Sequence, residues 1–137
     1  MKILLNGILG HMGREVVKLT DEAYRGAVLA VGVDPFVKEG ESLPVVASFS
    51  ELGDASEIDC IVDFSHHSLT AEMLAFATEK RLPVVIATTG HTEEEIDMIK
   101  EAAGVVPVFF SYNMSLGIAL LVELAKKTAA DMPEADI

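Results

Sequence analysis

The sequence predicts an α/β fold: a doubly wound, mainly parallel sheet with helices on both faces, three layers in the order α/β/α. Three observations carry that expectation. Apolar runs of strand length alternate with segments of helical period, the pattern of a buried parallel sheet with crossover helices. A glycine-rich turn, "GILGHMG", joins the first such run to the first helical segment. An acid, Asp34, closes the second run 21 residues after the last of those glycines.

The elements follow in order. Lys2–Asn6 reads as the first strand, because Ile3, Leu4 and Leu5 form an unbroken apolar run before Gly7. A helix is expected over Met12–Tyr24, where Met12, Val16, Val17 and Leu19 keep helical spacing. The valine-rich stretch Ala27–Val33 is the second strand. From Val37 to Glu57 the pattern is weaker, with Pro44-Val45-Val46 as a short strand and Phe49–Leu52 as a helical turn. Further strands are expected at Cys60–Phe64, Val84–Ala87 and Val106–Phe110, and further helices at Leu69–Lys80, Glu93–Ala103 and Leu116–Ala130. Glu93–Ala103 carries its own boundaries, since Thr92 and Glu95 form a T-x-x-E capping box and Gly104 stands at its end. Residues 1–130 therefore form one dinucleotide-sized domain. The final stretch, "DMPEADI" over 131–137, reads as the start of a connection to a further domain, because an α/β sheet rarely stops on a helix and a few strand-like residues.

The totals restrict the function classes. A chain of 137 residues, 50% apolar, can bury a proper core. The net charge of −12 argues against nucleic acid and anionic membrane surfaces as partners. No apolar run reaches the length of a membrane span, and Met1-Lys2-Ile3 enters a strand directly, unlike a signal peptide. The single cysteine, Cys60, suits a reducing cytoplasm and reads as a small core residue.

Strand, glycine turn and helix in succession make a phosphate site. Unpaired amides at the helix start, with the positive end of the helix dipole, attract a pyrophosphate. The spacing here is G-x-x-G-x-x-G over Gly7, Gly10 and Gly13, one residue longer than the common fingerprint, and Leu9 stands where the second glycine usually falls. Gly10 then becomes the point of close approach. A tight turn without a ligand is the plain alternative, and Asp34 before Pro35 could merely start a turn. Yet the offset of Asp34 is that of a carboxylate that accepts hydrogen bonds from an adenosine ribose, in a Rossmann-like domain. Ligands of such sheets bind at the carboxyl ends of the strands, where "VDFSHHS", "ATTGHT" and "FSYNMSLG" offer polar groups. His66-His67 is not read as a metal pair: adjacent side chains usually diverge, and no further ligand set has metal spacing. Glu93-Glu94-Glu95 reads as a solvated first helical turn, and none of His66, His67, His91 or Tyr112 has a partner at recognisable spacing.

Together, "GILGHMGRE", "VDFSHHS", "VIATTGHT" and "FFSYNMSLGIALLVELAKK" resemble the bacterial 4-hydroxy-tetrahydrodipicolinate reductase (dihydrodipicolinate reductase) family. The resemblance runs over essentially the whole chain, which matches the first half of that family's usual length. It implies an oxidoreductase of the diaminopimelate route to lysine, with NADH or NADPH as hydride donor and a small-molecule substrate. It implies that Gly7, Ile8, Leu9, Gly10, His11, Met12 and Gly13 cradle the pyrophosphate and that Asp34 holds the ribose. Phe64 and Ser65 would lie beside the cofactor. Ala87, Thr88 and Thr89 would line the nicotinamide, with Thr89 also touching substrate, and Ser111, Tyr112, Asn113 and Met114 would close over it. Some members carry an arginine after the ribose acid for the 2′-phosphate of NADP; Pro35 stands there here, so NADH is the expected preference, with NADPH possible. The family's H-H-x-x-K motif, with proton donor and substrate grip, belongs to a second domain that also makes the homo-oligomer. No catalytic residue is therefore expected in this chain, and no metal. Rival readings are the cofactor domain of another two-domain NAD(P) dehydrogenase and a non-catalytic NADH sensor, which fold alone does not separate.

Overall fold

The structure, a computed structural model, describes residues 1–133; of the expected connection over 131–137, positions 134–137 lie outside the described residues. Six parallel strands form one sheet in the order β3-β2-β1-β4-β5-β6. They are β1 (Lys2–Asn6), β2 (Val28–Val33), β3 (Val45–Val46), β4 (Cys60–Asp63), β5 (Val84–Ile86) and β6 (Val108–Phe110). The helices are α1 (His11–Asp21), α2 (Thr70–Lys80), α3 (Glu93–Ala103) and α4 (Leu116–Asp131). This strand order is that of the Rossmann-type doubly wound sheet.

Strand alternation divides the apolar residues between two faces. Leu4, Ile61, Val84 and Ile86 join Met73, Leu74, Phe76 and Ala77 of α2 and Ile99 and Ala102 of α3 in the larger core. Leu5, next to Leu4 and therefore facing the other way, packs with Ile8 and with Val17 of α1. The three expected layers are present, with α1 on one face and α2 and α3 on the other.

Several element ends differ from the sequence expectation. Helix α1 stops at Asp21, because Ala23 and Arg25 take left-handed conformations (φ 49° and 52°) in a turn that no glycine announces before Gly26. β4 and β5 end one residue early, as Phe64 and Ala87 leave the ladder to line the strand ends. A short 3-10 turn, His67–Leu69, precedes α2. β2 begins at Val28 and β6 at Val108, and Cys60 is half-buried at the start of β4 rather than a core residue. Burial among its neighbours, and then the charge of Asp59, raise the Cys60 thiol pKa.

Helix α3 has the capping box that the sequence forecast: the Thr92 hydroxyl accepts from the Glu95 amide, and the Glu95 carboxylate accepts from the Thr92 amide. Helix α4 is different. Ser115 caps it, accepting from the Ile118 amide at 3.4 Å, yet every one of its residues is exposed, Leu116 at 86%. Its apolar segment is uncovered along its whole length.

Candidate functional site

The order in which strands are added to the sheet reverses between β1 and β4, which opens a crevice at their carboxyl ends. The turn after β1 is built on missing side chains. Gly7 takes φ +81°, and a Cβ there would lie 2.6 Å from the Phe64 carbonyl oxygen. A Cβ on Gly13 would lie 2.2 Å from the Gly7 oxygen. Gly7 thus lets the turn meet the β4 end, and Gly13 lets α1 meet the turn. Gly10 does a third thing. It is the N-cap of α1 in ordinary extended geometry, and a Cβ there would meet only the Gly7 oxygen, at 3.2 Å.

The donors can be counted. The Gly10 amide is used within the turn, donating to the Gly7 oxygen at 3.1 Å, and the Leu9 amide donates to Asp34 Oδ2 at 3.0 Å. No side chain caps α1, so the amides of its first turn, His11, Met12 and Gly13, stay available to a ligand. Arg14, which the sequence reading passed over, donates from Nε to the Leu9 oxygen at 3.1 Å and brings a guanidinium to the same turn. That local cation and the helix dipole matter more to an anion here than the total charge of the chain.

Asp34 is 5% exposed at the end of β2. Its Oδ1 accepts from the Phe36 amide at 3.0 Å, so it does start a turn. Its Oδ2 also holds the glycine turn through Leu9, and each oxygen keeps further acceptor capacity. A cleft of about 490 Å³ opens here, lined by Gly7, Leu9, Gly10, Asp34, Phe64 and Ser65 from among the expected site residues, and by Pro35, Phe36 and His66. Lys38, four residues beyond Asp34, does not line it; His66 does.

The other expected residues fall in different places. Ile8 is fully buried in the core, so only its backbone belongs to the turn. His11 and Met12 are exposed at the start of α1. Thr88 is 6% exposed, and its hydroxyl turns inward to Asp63 instead of toward a ligand, while Thr89 is exposed and Ala87 half-buried. Ser111, Tyr112, Asn113 and Met114 lie beyond β6, outside the cleft, as a turn closed by the Ser111 hydroxyl donating to the Asn113 oxygen at 3.0 Å.

Two groupings escaped the sequence. Asp63, 1% exposed, accepts from Asn6 of β1, from Ser65 and from Thr88, joining three strand ends. The histidines are also partnered. The rings of His66 and His67 lie against each other at a 38° tilt, with centroids 4.2 Å apart, instead of diverging. His67 Nδ1 reaches both Glu95 oxygens, at 3.0 and 2.9 Å. Glu95 is therefore no solvated residue like Glu93 and Glu94: the Thr92 amide first, and then His67, lower its pKa. His91 packs edge-on to Phe110 at 5.2 Å, with neither ring nitrogen partnered among the described residues. Among the described residues no cluster of three His, Cys, Asp or Glu side chains could hold a metal ion, and no helix is long and apolar enough to cross a membrane.

Sheet order, the glycine turn and the acid that follows β2 define a Rossmann-like fold. Solved dehydrogenases share the fold: a myo-inositol dehydrogenase from Corynebacterium glutamicum superposes with a TM-score of 0.63 at 22% identity, over 93% of this chain and 41% of that one. A probable dehydrogenase from Thermotoga maritima gives 0.60 at 20% identity, over 80% of this chain and 35% of that one. The particular family follows from sequence. The model for "Dihydrodipicolinate reductase, N-terminus" matches residues 1–114, and the chain belongs to that family. The 4-hydroxy-tetrahydrodipicolinate reductase of Caldanaerobacter subterraneus subsp. tengcongensis is 37% identical over all of this chain and 53% of its own length. That of Xanthomonas campestris pv. campestris is 33% identical over 97% of this chain and 56% of its own. The chain thus spans about half the length of the curated relatives it matches.

Proposed function

We propose that residues 1–130 are the nicotinamide-dinucleotide-binding domain of a 4-hydroxy-tetrahydrodipicolinate reductase, with NADH preferred over NADPH, and that residues 131–137 begin the connection to its substrate domain. The whole protein reduces 4-hydroxy-tetrahydrodipicolinate to tetrahydrodipicolinate in lysine biosynthesis, as a cytoplasmic homo-oligomer. One observation carries the cofactor reading: a cradle that Cβ atoms would fill faces uncapped helix amides across from a carboxylate with spare acceptor capacity. Those are the groups a pyrophosphate and a ribose diol require.

The cofactor, when bound, supplies the hydride; the residues of this chain bind and orient it. The amides of His11, Met12 and Gly13 take the pyrophosphate, and Asp34 takes the ribose hydroxyls. Asp34 also repels a 2′-phosphate, and Pro35 brings no cation to offset that repulsion. Phe64, Ser65, Ala87, Thr88 and Thr89, with Ser111, Tyr112, Asn113 and Met114, form the wall on the nicotinamide side, and Thr89 is the one substrate contact assigned here. Proton donor and substrate grip come from the second domain, so this chain binds cofactor without turnover.

Fluorescence titration with both dinucleotides tests the reading. NADH should bind several-fold tighter than NADPH, as expected when an uncountered charge meets a phosphate. Equal or tighter NADPH binding would refute the preference, and absence of binding to either would refute the dinucleotide site. Turnover of 4-hydroxy-tetrahydrodipicolinate by this chain alone would refute the division of labour between domains.

A further inference from the structure

We propose that Asp63 is a positioning residue that couples the two halves of the cleft: the glycine turn after β1 and the Thr88 turn after β5. The inference rests on the cofactor reading above. Asp63 lies at the end of β4, between those two strands, and is 1% exposed. Among the described residues no cation pairs with it. A buried carboxylate without a counter-ion persists only where hydrogen bonds replace its hydration.

They do so here, and in two directions. Oδ1 accepts from Asn6 Nδ2 at 2.9 Å, from the Ser65 amide at 3.1 Å and from the Ser65 hydroxyl at 2.6 Å. Oδ2 accepts from the Thr88 hydroxyl at 2.8 Å. The second amide hydrogen of Asn6 goes to Ser65 Oγ at 2.9 Å, so the donors on this side are shared without conflict. Asn6 precedes Gly7 in the chain, and the Phe64–Ser65 backbone is what Gly7 packs against. The Oδ1 arm therefore fixes the floor under the pyrophosphate turn. The Oδ2 arm fixes Thr88, and with it the turn assigned to the nicotinamide side. Each of these groups donates to Asp63, so the site needs an acceptor on both of its arms.

A ligand that spans both halves depends on their relative placement; one that occupies a single half does not. The test compares NADH with ADP-ribose, which lacks the nicotinamide, on the 137-residue chain. Asp63→Leu keeps the branching and heavy-atom count and removes the acceptors. It should weaken NADH about tenfold or more, the range for orphaning buried donors, and ADP-ribose, which loses only the floor held by Oδ1, by a clearly smaller factor. Asp63→Asn should keep both within about threefold, because its amide can donate to Thr88 Oγ1 while the Thr88 hydrogen turns to the Ser65 oxygen at 3.3 Å. Equal losses for both ligands in Asp63→Leu would show a general loss of structure and overturn the coupling. So would no loss, or an Asp63→Asn loss as large as that of leucine. Should Asp63→Leu fail to fold in thermal unfolding, Thr88→Val removes only the Oδ2 donor, with Thr88→Ser as its rescue, and the same split is required. Wild-type chain that binds neither ligand would remove the cofactor reading, and this inference with it.

Discussion

The three glycines of the turn can be separated by experiment, because their surroundings differ. Gly10→Val places a β-branched residue at φ −69°, ψ 170°, which valine adopts readily. The new Cβ meets only one oxygen, at 3.2 Å, and the loss of glycine flexibility from the unfolded chain returns about 0.4–1 kcal/mol. The unfolding temperature should therefore stay within about 3 °C of wild type. Binding should not survive. Gly10 lines the cleft just ahead of the amides of His11, Met12 and Gly13, so added methyls should compete with a ligand there, and blocking two charge-assisted hydrogen bonds costs about 3 kcal/mol or more, over a hundredfold in affinity. Gly13→Ala is the converse: its Cβ would lie 2.2 Å from the Gly7 oxygen and 2.7 Å from the Ile8 carbonyl carbon, so backbone must move. Overpacking of that kind costs about 3 kcal/mol and lowers the unfolding temperature by about 10 °C. Thermal unfolding by circular dichroism and NADH fluorescence titration read the two effects apart. Retained NADH affinity in Gly10→Val would show that the glycines serve packing alone. Unchanged melting of Gly13→Ala would refute the packing argument.

Other outcomes follow from the same geometry. Asp34→Asn keeps an acceptor for the Leu9 amide but removes the charge, so the NADH-over-NADPH ratio should shrink several-fold in paired titrations; an unchanged ratio would relieve Asp34 of its selective role. Thr92→Ala should cost about 1 kcal/mol as a lost N-cap, measured by urea unfolding, and a variant as stable as wild type would discount the capping box. Glu95 has a folded-state pKa below its unfolded one, so its contribution is present above the unfolded value and is lost as pH falls through the lowered one. Glu95→Gln should consequently flatten the loss of stability below about pH 4, and an unaltered acid limb would contradict this. Leu120 and Leu124 are 60% and 54% exposed one turn apart on α4; light scattering should show self-association of the wild-type chain, relieved in Leu120→Lys/Leu124→Lys. A monomeric wild type would refute it.

Most elements were legible because their signals are local. The run Ile3–Leu5, the Thr92–Glu95 box and the Gly7–Gly13 spacing each lie within one short window, and the structure keeps all three as elements. Asp34 was legible because its offset reflects one βαβ unit. Asp63 was not: it sits 57 residues from Asn6 and 25 from Thr88, and in the sequence it is just an acid at a strand end. Glu95 was hidden differently. Its capping role accounted for it fully, and nothing local shows that its carboxylate also faces His67, 28 residues away. The contact between the His66 and His67 rings was missed because divergence of neighbours is a rule for regular strands, and these two begin a 3-10 turn. For α4, periodicity shows that an apolar helix forms but not what it packs against.

The place of β1 has a consequence for how the protein is made. Of the six strands it is the first to leave the ribosome, yet one of its two neighbours, β4, begins only at Cys60. Until then Asn6 has no Asp63 to hold it, and the turn at Gly7 has no Phe64 backbone to rest on. The β1–α1–β2 unit can form early, as local contacts do, but the cleft closes only with this distant pairing. A nascent chain halted before Asp63 emerges should be blind to dinucleotide, and one released beyond Thr88 should begin to sense it. Ligand present during synthesis would then favour completion of the sheet over the partly built states that precede it, by mass action on the finished cleft alone.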